Sequence, residues 1–184
     1  MGQHLYFVAL LLPPDLGAIA SGWQHYCART FQTQKALNSP PHITLQPPFK
    51  FPAKKIDHLH YFLSTFTQTQ TPFPIHLTGF NCFAPRVVYI DMAPSPQLLS
   101  CQTQLKIAFA EQLHIHDQRY GDRPFCPHVT IAFKDLSRAN FDRSWAFFQD
   151  RPLHHVFLGT GLTLLRHNGR HWQAGLNFPF PHST

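Results

Sequence analysis

PPHITLQPPF, residues 40–49, carries a histidine and a threonine two positions apart in an apolar frame, and CPHVTIAF, residues 126–133, repeats the phrase. On an extended strand, residues two apart project to one face. His42 and Thr44 therefore point together, opposite Ile43 and Leu45. His128 and Thr130 do the same, opposite Val129 and Ile131. The aliphatic pair anchors each strand in a core and the polar pair is offered to a cleft. Pro41 and Pro127 fit because a proline is tolerated at the start of a strand. His-x-Thr alone is a weak signal in a chain with 14 histidines, and it occurs four times, also at His76 and His182. The copies at 42 and 128 differ in sharing Pro, His, a β-branched residue, Thr and an aliphatic residue, each in the same slot of its half of the chain. His76 reads as an ordinary strand histidine.

The elements around the two phrases repeat as well. LYFVALLL, residues 5–12, suits a strand buried on both faces. Asp15 offers an N-cap to a helix reaching Phe31, with Ile19, Trp23 and Tyr26 at helical spacing. A short HITL strand follows, bounded by Pro40-Pro41 and Pro47-Pro48, and then a helix over 56–67 with Leu59, Phe62, Leu63 and Phe66 on one face. The second half opens with two strand-like runs, PFPIHLTGFNCF and VVYIDM. A helix from Ser95 or Pro96 to about Leu113 has Leu98, Leu105, Ile107 and Phe109 as its apolar content. After a polar loop come the PHVT strand, a helix around 140–149, and a hairpin of VFLGTGLTLLRH and HWQAGLNFPF turned at Asn168-Gly169. The expectation is an α+β fold: a single domain over 1–184, with pseudo-repeats of about 1–72 and 73–184 related by an approximate two-fold. Two mostly antiparallel sheets line a central cleft, and the helices lie outside.

Composition narrows the partners. With 43% hydrophobic residues and 18 Phe in 184 residues the chain can bury a full core, which argues against disorder. A net charge of +6 favours anionic partners, and because no block of five Lys or Arg occurs, a phosphate-sized site fits better than a stripe along a duplex. Cys27, Cys82, Cys101 and Cys126 form no CxxC pair and read as buried free thiols. The pairs His58/His60, His114/His116 and His154/His155 lack the i, i+4 spacing of a metal-binding helix, so no metal is expected. The N-terminal apolar run has no basic flank or cleavage site, and Pro13-Pro14 ends it short of a membrane span. Tyr6 stands where a myristoylation motif needs Ser or Thr. A cytoplasmic protein with no membrane partner is expected.

Two imidazoles facing each other across a groove suit phosphoryl transfer. One activates the nucleophile and the other protonates the departing oxygen, and an ordinary value of about 6.5 allows either role. Threonine hydroxyls can hold the non-bridging oxygens as charge builds up. A metal is dispensable if the leaving group is the sugar oxygen of a strained cyclic phosphate. Arg119, Tyr120 and Arg123, in the loop before the second motif, are candidates for phosphate or base contact. Arg86 and Arg166 lie in or beside strands, and Tyr6, Phe7, Phe49 and Trp172 are candidates to stack a base.

PPHITLQPPF and RPFCPHVTIAF resemble the two signature motifs of the two-histidine (2H) phosphoesterase superfamily. Nearly the whole chain, from YFVALLLP to the closing FPF, is similar to its 2′-5′ RNA ligase-like branch. The resemblance implies a bilobal fold around a cleft, no cofactor or metal, and hydrolysis of RNA 2′,3′-cyclic phosphates to 2′-phosphates. It makes His42 the proton donor to the leaving 3′ oxygen, His128 the base that activates water, and Thr44 and Thr130 the phosphate ligands. The expected partners are RNA ends carrying a cyclic phosphate, or small nucleotides, bound by a monomer. The alternatives are a 2′-5′ phosphodiesterase or ligase, and a non-catalytic binder of RNA ends or nucleotides.

Overall fold

The apolar run near the start becomes β1 (Gln3–Leu11), and alternation divides its residues between two faces. Tyr6, Val8 and Leu10 enter the main core, while Phe7 and Ala9 form a second small cluster with Leu165 on the opposite face. The computed structural model describes residues 2–116 and 124–181. Among them, β1 is followed by α1 (Pro14–Phe31), β2 (His42–Pro52), α2 (Ile56–Thr67), β3 (Phe73–Phe83), β4 (Val87–Met92) and α3 (Pro96–Leu113). Then come β5 (Val129–Phe133), α4 (Arg138–Phe148), β6 (His154–Gly159), β7 (Gly161–His167) and β8 (Trp172–Pro179).

The strands order as β6-β3-β4-β5-β2-β1-β7-β8, all neighbours antiparallel. Four-stranded halves, β6-β3-β4-β5 and β2-β1-β7-β8, meet where β5 pairs with β2 at Ile43↔Val129. This is the expected α+β architecture, its two sheets fused into one curled sheet through one residue of each motif. The C-terminal hairpin returns to β1, so the half that holds His42 draws strands from both ends of the sequence. Two helices cross between halves. α1, which follows β1, packs on β5 and α4, and α3, which follows β4, packs on β2, whereas α2 and α4 stay on the half whose strand they follow.

Four local features depart from the sequence-based expectations. β2 does not stop at Pro47-Pro48 but runs to Pro52. The register shifts between Val8↔Gln46 and Tyr6↔Phe49, so both prolines sit in an irregular stretch where no ladder N–H is required. VFLGTGLTLLRH is two strands, not one. It breaks at Thr160, with β6 pairing to β3 and β7 to β1, so the run passes from one half of the sheet to the other. Asp15 lies in the first turn of α1 and is not its cap, because Pro13 occupies that position. Ile19 and Ile107, at helical spacing in their sequences, are exposed, and their helices bury the rows through Ala20 and Leu105 instead. Ser95 caps α3 as expected, its Oγ accepting from Leu98 N at 3.3 Å.

Ile43 is fully buried at the junction. Ile43→Ala is expected to destabilise the fold by about 2–5 kcal/mol, the range for deleting a packed aliphatic side chain. Urea unfolding should show a lower midpoint at an unchanged slope. A loss under about 1 kcal/mol would mean that the junction contributes little to holding the halves together.

Candidate active site

The antiparallel register at Ile43↔Val129 sums to fixed partners, so one step either way sets His42 across from Thr130 and Thr44 across from His128. Ile43 and Val129 point into the core, and all four polar residues lie on the other face. Both motifs therefore meet about a local two-fold that passes between their central residues.

Each histidine is anchored in the same way. The Nδ1 of His42 is 2.7 Å from the carbonyl of Pro40, and the Nδ1 of His128 is 2.8 Å from the carbonyl of Cys126, in both cases two residues upstream. A carbonyl only accepts, so Nδ1 carries the hydrogen and Nε2 is left with its lone pair. At His42 that Nε2 lies 3.1 Å from Thr44 Oγ1, which donates to it. In each motif one proline, Pro41 or Pro127, stands between the histidine and the carbonyl that holds its ring.

Burial lowers the affinity of both rings for a proton. His42 is pushed down from 6.5 to about 4 by desolvation; the Pro40 carbonyl opposes this and the nearby charge of His128 reinforces it. His128 is also lowered by burial, against the opposing effects of the Cys126 carbonyl and the Asp91 carboxylate. Aromatic rings do much of the desolvating. Phe7 lies 4.7 Å from the His42 ring and is backed by Trp172 at 4.6 Å, while Tyr89 and Phe83 each lie 5.0 Å from His128.

Both the sequence and the fold have known counterparts. Residues 12–171 match the family described as the 2′-5′ RNA ligase superfamily. The chain belongs to the 2′-5′ RNA ligase superfamily. A candidate phosphoesterase of Bacillus cytotoxicus is 32% identical over 97 residues, covering 52% of each chain, so the match spans about half the length of the curated relative. Another, of Bacillus mycoides, is 31% identical over 102 residues, covering 54% of this chain and 55% of the relative. Among solved structures, E. coli LigT complexed with 3′-AMP superposes with a TM-score of 0.68 at 22% identity, covering 97% and 99% of the two chains. TT0787 of Thermus thermophilus gives 0.67 at 18% identity, covering 98% and 100%. These superpositions show the same fold.

Within this superfamily frame the other candidates part company. Phe7 and Trp172 lie beside His42, as the stacking idea requires. Tyr6 and Phe49 do not: 4% and 7% exposed, they pack in the main core on the far face of the sheet. Arg166 pairs with Tyr6 and shares that face, so strand alternation turns it away from the histidines, and Arg86 sits exposed at the β3–β4 turn. Arg119, Tyr120 and Arg123 lie outside the described residues. Of the four cysteines expected to be buried, Cys27 and Cys101 are, with thiols pushed up to about 12, whereas Cys82 is half-buried and Cys126 is exposed.

Three site residues carried legible signals that a search for motifs passes over. In VVYIDM, Val88, Ile90 and Met92 enter the core, so period two puts Tyr89 and Asp91 on the face of His128. Gln24 is a polar residue on the buried row Leu16, Ala20, Gln24, Cys27 of α1; 3% exposed, its Nε2 donates to the Thr130 carbonyl at 3.1 Å. It ties the second motif to the helix from the first half.

The lowered histidines make stability depend on pH in a definite sense. Between about 4 and 6.5 the unfolded chain takes up a proton that folded His42 refuses, so stability drains away as pH falls through that window and is complete above it. The unfolding free energy of the wild type should therefore fall more than that of His42→Gln between about pH 7 and about pH 4.5 in urea titrations. Parallel falls would mean that His42 titrates as an exposed histidine does.

Proposed function

We propose that the protein is a metal-independent phosphodiesterase that opens the 2′,3′-cyclic phosphate of RNA ends or nucleotides to a 2′-phosphate. The observation that carries this is the pair of imidazoles, each held at Nδ1 by a backbone carbonyl so that Nε2 carries the lone pair, on one face of the Ile43–Val129 junction. Superfamily membership supports a phosphodiester substrate, and the similar LigT, solved with 3′-AMP, ATP and NADP+, supports a nucleotide.

Thr44 and Thr130 hold the non-bridging oxygens. One Nε2 takes a proton from water as its oxygen bonds to phosphorus, and the other gives a proton to O3′ as the P–O3′ bond breaks. Water is thus added across the P–O3′ bond, and the pair is restored when the base releases its proton to solvent and the acid takes one up. The base is neutral at rest because its ring is desolvated. The acid acquires its proton with the substrate, since an anionic phosphate beside the ring favours imidazolium and offsets the burial. The superfamily resemblance gives His42 the donor role. Asp91 supports the opposite allotment, because it favours the charged form of His128, and among the described residues no carboxylate does the same for His42.

With chelator present, the protein should turn over 2′,3′-cyclic nucleotides to 2′-phosphates. His42→Ala and His128→Ala should each reduce kcat about 10²–10⁴-fold, and Thr44→Val or Thr130→Val about 10²–10³-fold. A substrate whose leaving group needs no proton should rescue the variant lacking the acid and not the one lacking the base, which assigns the roles. Undiminished turnover in both histidine variants would end this reading, and turnover of 2′-5′ oligoadenylate in preference to cyclic nucleotides would move it to 2′-5′ linkages. Tight nucleotide binding with no turnover of either would make the protein a binder.

A further inference from the structure

Both motif strands break their pairing at the same place. Between β1 and β2, Ala9 pairs with Thr44 and Val8 with Gln46, so Leu45 is an extra residue with no partner across the ladder. Between β4 and β5, Tyr89 pairs with Thr130 and Val88 with Ala132, so Ile131 is the extra residue. Each motif thus carries a β-bulge on the residue that follows its threonine. The burial pattern agrees: alternation fails there, and Leu45 and Gln46, like Ile131 and Ala132, are buried in succession. A bulge bends its strand, re-aims the neighbouring side chain and takes backbone groups out of the ladder.

A glutamine meets each bulge. Gln24 Nε2, from α1, donates to the carbonyl of Thr130 at 3.1 Å, and Gln102 Nε2, from α3, donates to the carbonyl of Leu45 at 3.4 Å. These are the two helices that cross between halves, and both pack in the main core, on the far face of the sheet from the histidines. Gln24 is 3% exposed, on the row of Leu16, Ala20, Cys27 and Phe31. An apolar side chain would pack there without the cost of desolvating an amide, so packing alone does not call for glutamine. The bulge carbonyl does, because a buried backbone acceptor outside the ladder needs a donor from elsewhere.

We propose that Gln24 and Gln102 are positioning residues: by fixing the bulge carbonyls they hold Thr130 and Thr44 at the angle from which both hydroxyls reach the phosphate. The proposal rests on the phosphodiesterase reading above and adds to it two residues outside the motifs. Gln24 has the larger share, because its bond is the shorter and is made to the threonine itself. Gln102 is half-buried and acts one residue beyond Thr44. Because each glutamine comes from the half opposite to the motif it holds, the two threonines are set relative to each other and not only within their own strands.

Double-variant kinetics test it. Gln24→Met keeps the length of the side chain and removes the donor, and should lower kcat for 2′,3′-cyclic AMP about tenfold, the worth of one hydrogen bond. Gln102→Met should lower it about threefold. In Thr130→Val there is no hydroxyl left to aim, so adding Gln24→Met should cost less than about twofold more, and Gln102→Met added to Thr44→Val likewise. Unchanged kcat in both single variants, or losses that simply multiply with those of the valine variants, would overturn the proposal, since a merely structural role does not depend on the hydroxyl. Thermal unfolding shows whether the variants fold, and Gln102→Met, at the half-buried site, decides alone if Gln24→Met does not. If the wild type turns over no cyclic phosphate, the catalytic reading fails by itself. Inorganic phosphate followed by ³¹P line width then decides the threonines. Binding weakened by Gln24→Met in the wild type but not in Thr130→Val supports the proposal; binding that ignores Gln24→Met, or no binding, overturns it.

Discussion

The Ile43–Val129 pair is the contact on which the rest depends. One antiparallel bridge joins two four-stranded halves, and the residues on either side of it are His42, Thr44, His128 and Thr130. The same contact that makes one sheet of two thus brings the motifs together in register. Because Ile43 and Val129 are wholly buried, alternation leaves the polar residues only the other face. A slip of one residue in either strand would bury a histidine and expose an aliphatic residue, so the hydrophobic effect enforces the geometry of the site.

Around that bridge the helices supply rigidity. α1 leaves β1 and packs on β5, and α3 leaves β4 and packs on β2, so neither half can move without taking along a helix rooted in the other. The hydrogen bond from Gln24 to the Thr130 carbonyl is the most local expression of this exchange. Between α1 and α4, Trp23, Tyr26, Phe147 and the fully buried Phe148 interlock largely edge to face, with the Arg151 guanidinium 4.1 Å from the Phe147 ring. A site of this kind needs fixed positions more than it needs reactive groups, because its histidines are of the ordinary type and only their placement and desolvation are special.

The two histidines are alike in anchoring and unlike in surroundings. A carbonyl two residues upstream, across the intervening Pro41 or Pro127, fixes the tautomer of each. Asp91 faces His128, whereas His42 is flanked by Phe7 and Trp172. An approximate two-fold can create a symmetric pair, but the proposed acid–base chemistry requires the partners to differ in proton affinity, and what surrounds them differs through the neighbouring strands.

The sequence by itself determined the repeated strand phrase, the face on which its polar residues lie, the helices at 56–67 and 96–113 and the turn at Asn168-Gly169, because each follows from periodicity or local turn chemistry within a few residues. It did not determine that β2 continues through two prolines, that residues 154–167 divide between opposite halves of the sheet, or that Tyr6 and Phe49 lie on the far face from Phe7. Those depend on which strand pairs with which, and strand pairing is a contact between residues far apart in the chain. The meeting of the two motifs belongs to the same class: the phrases named the residues, and the bridge between Ile43 and Val129 set His42 across from Thr130 and Thr44 across from His128.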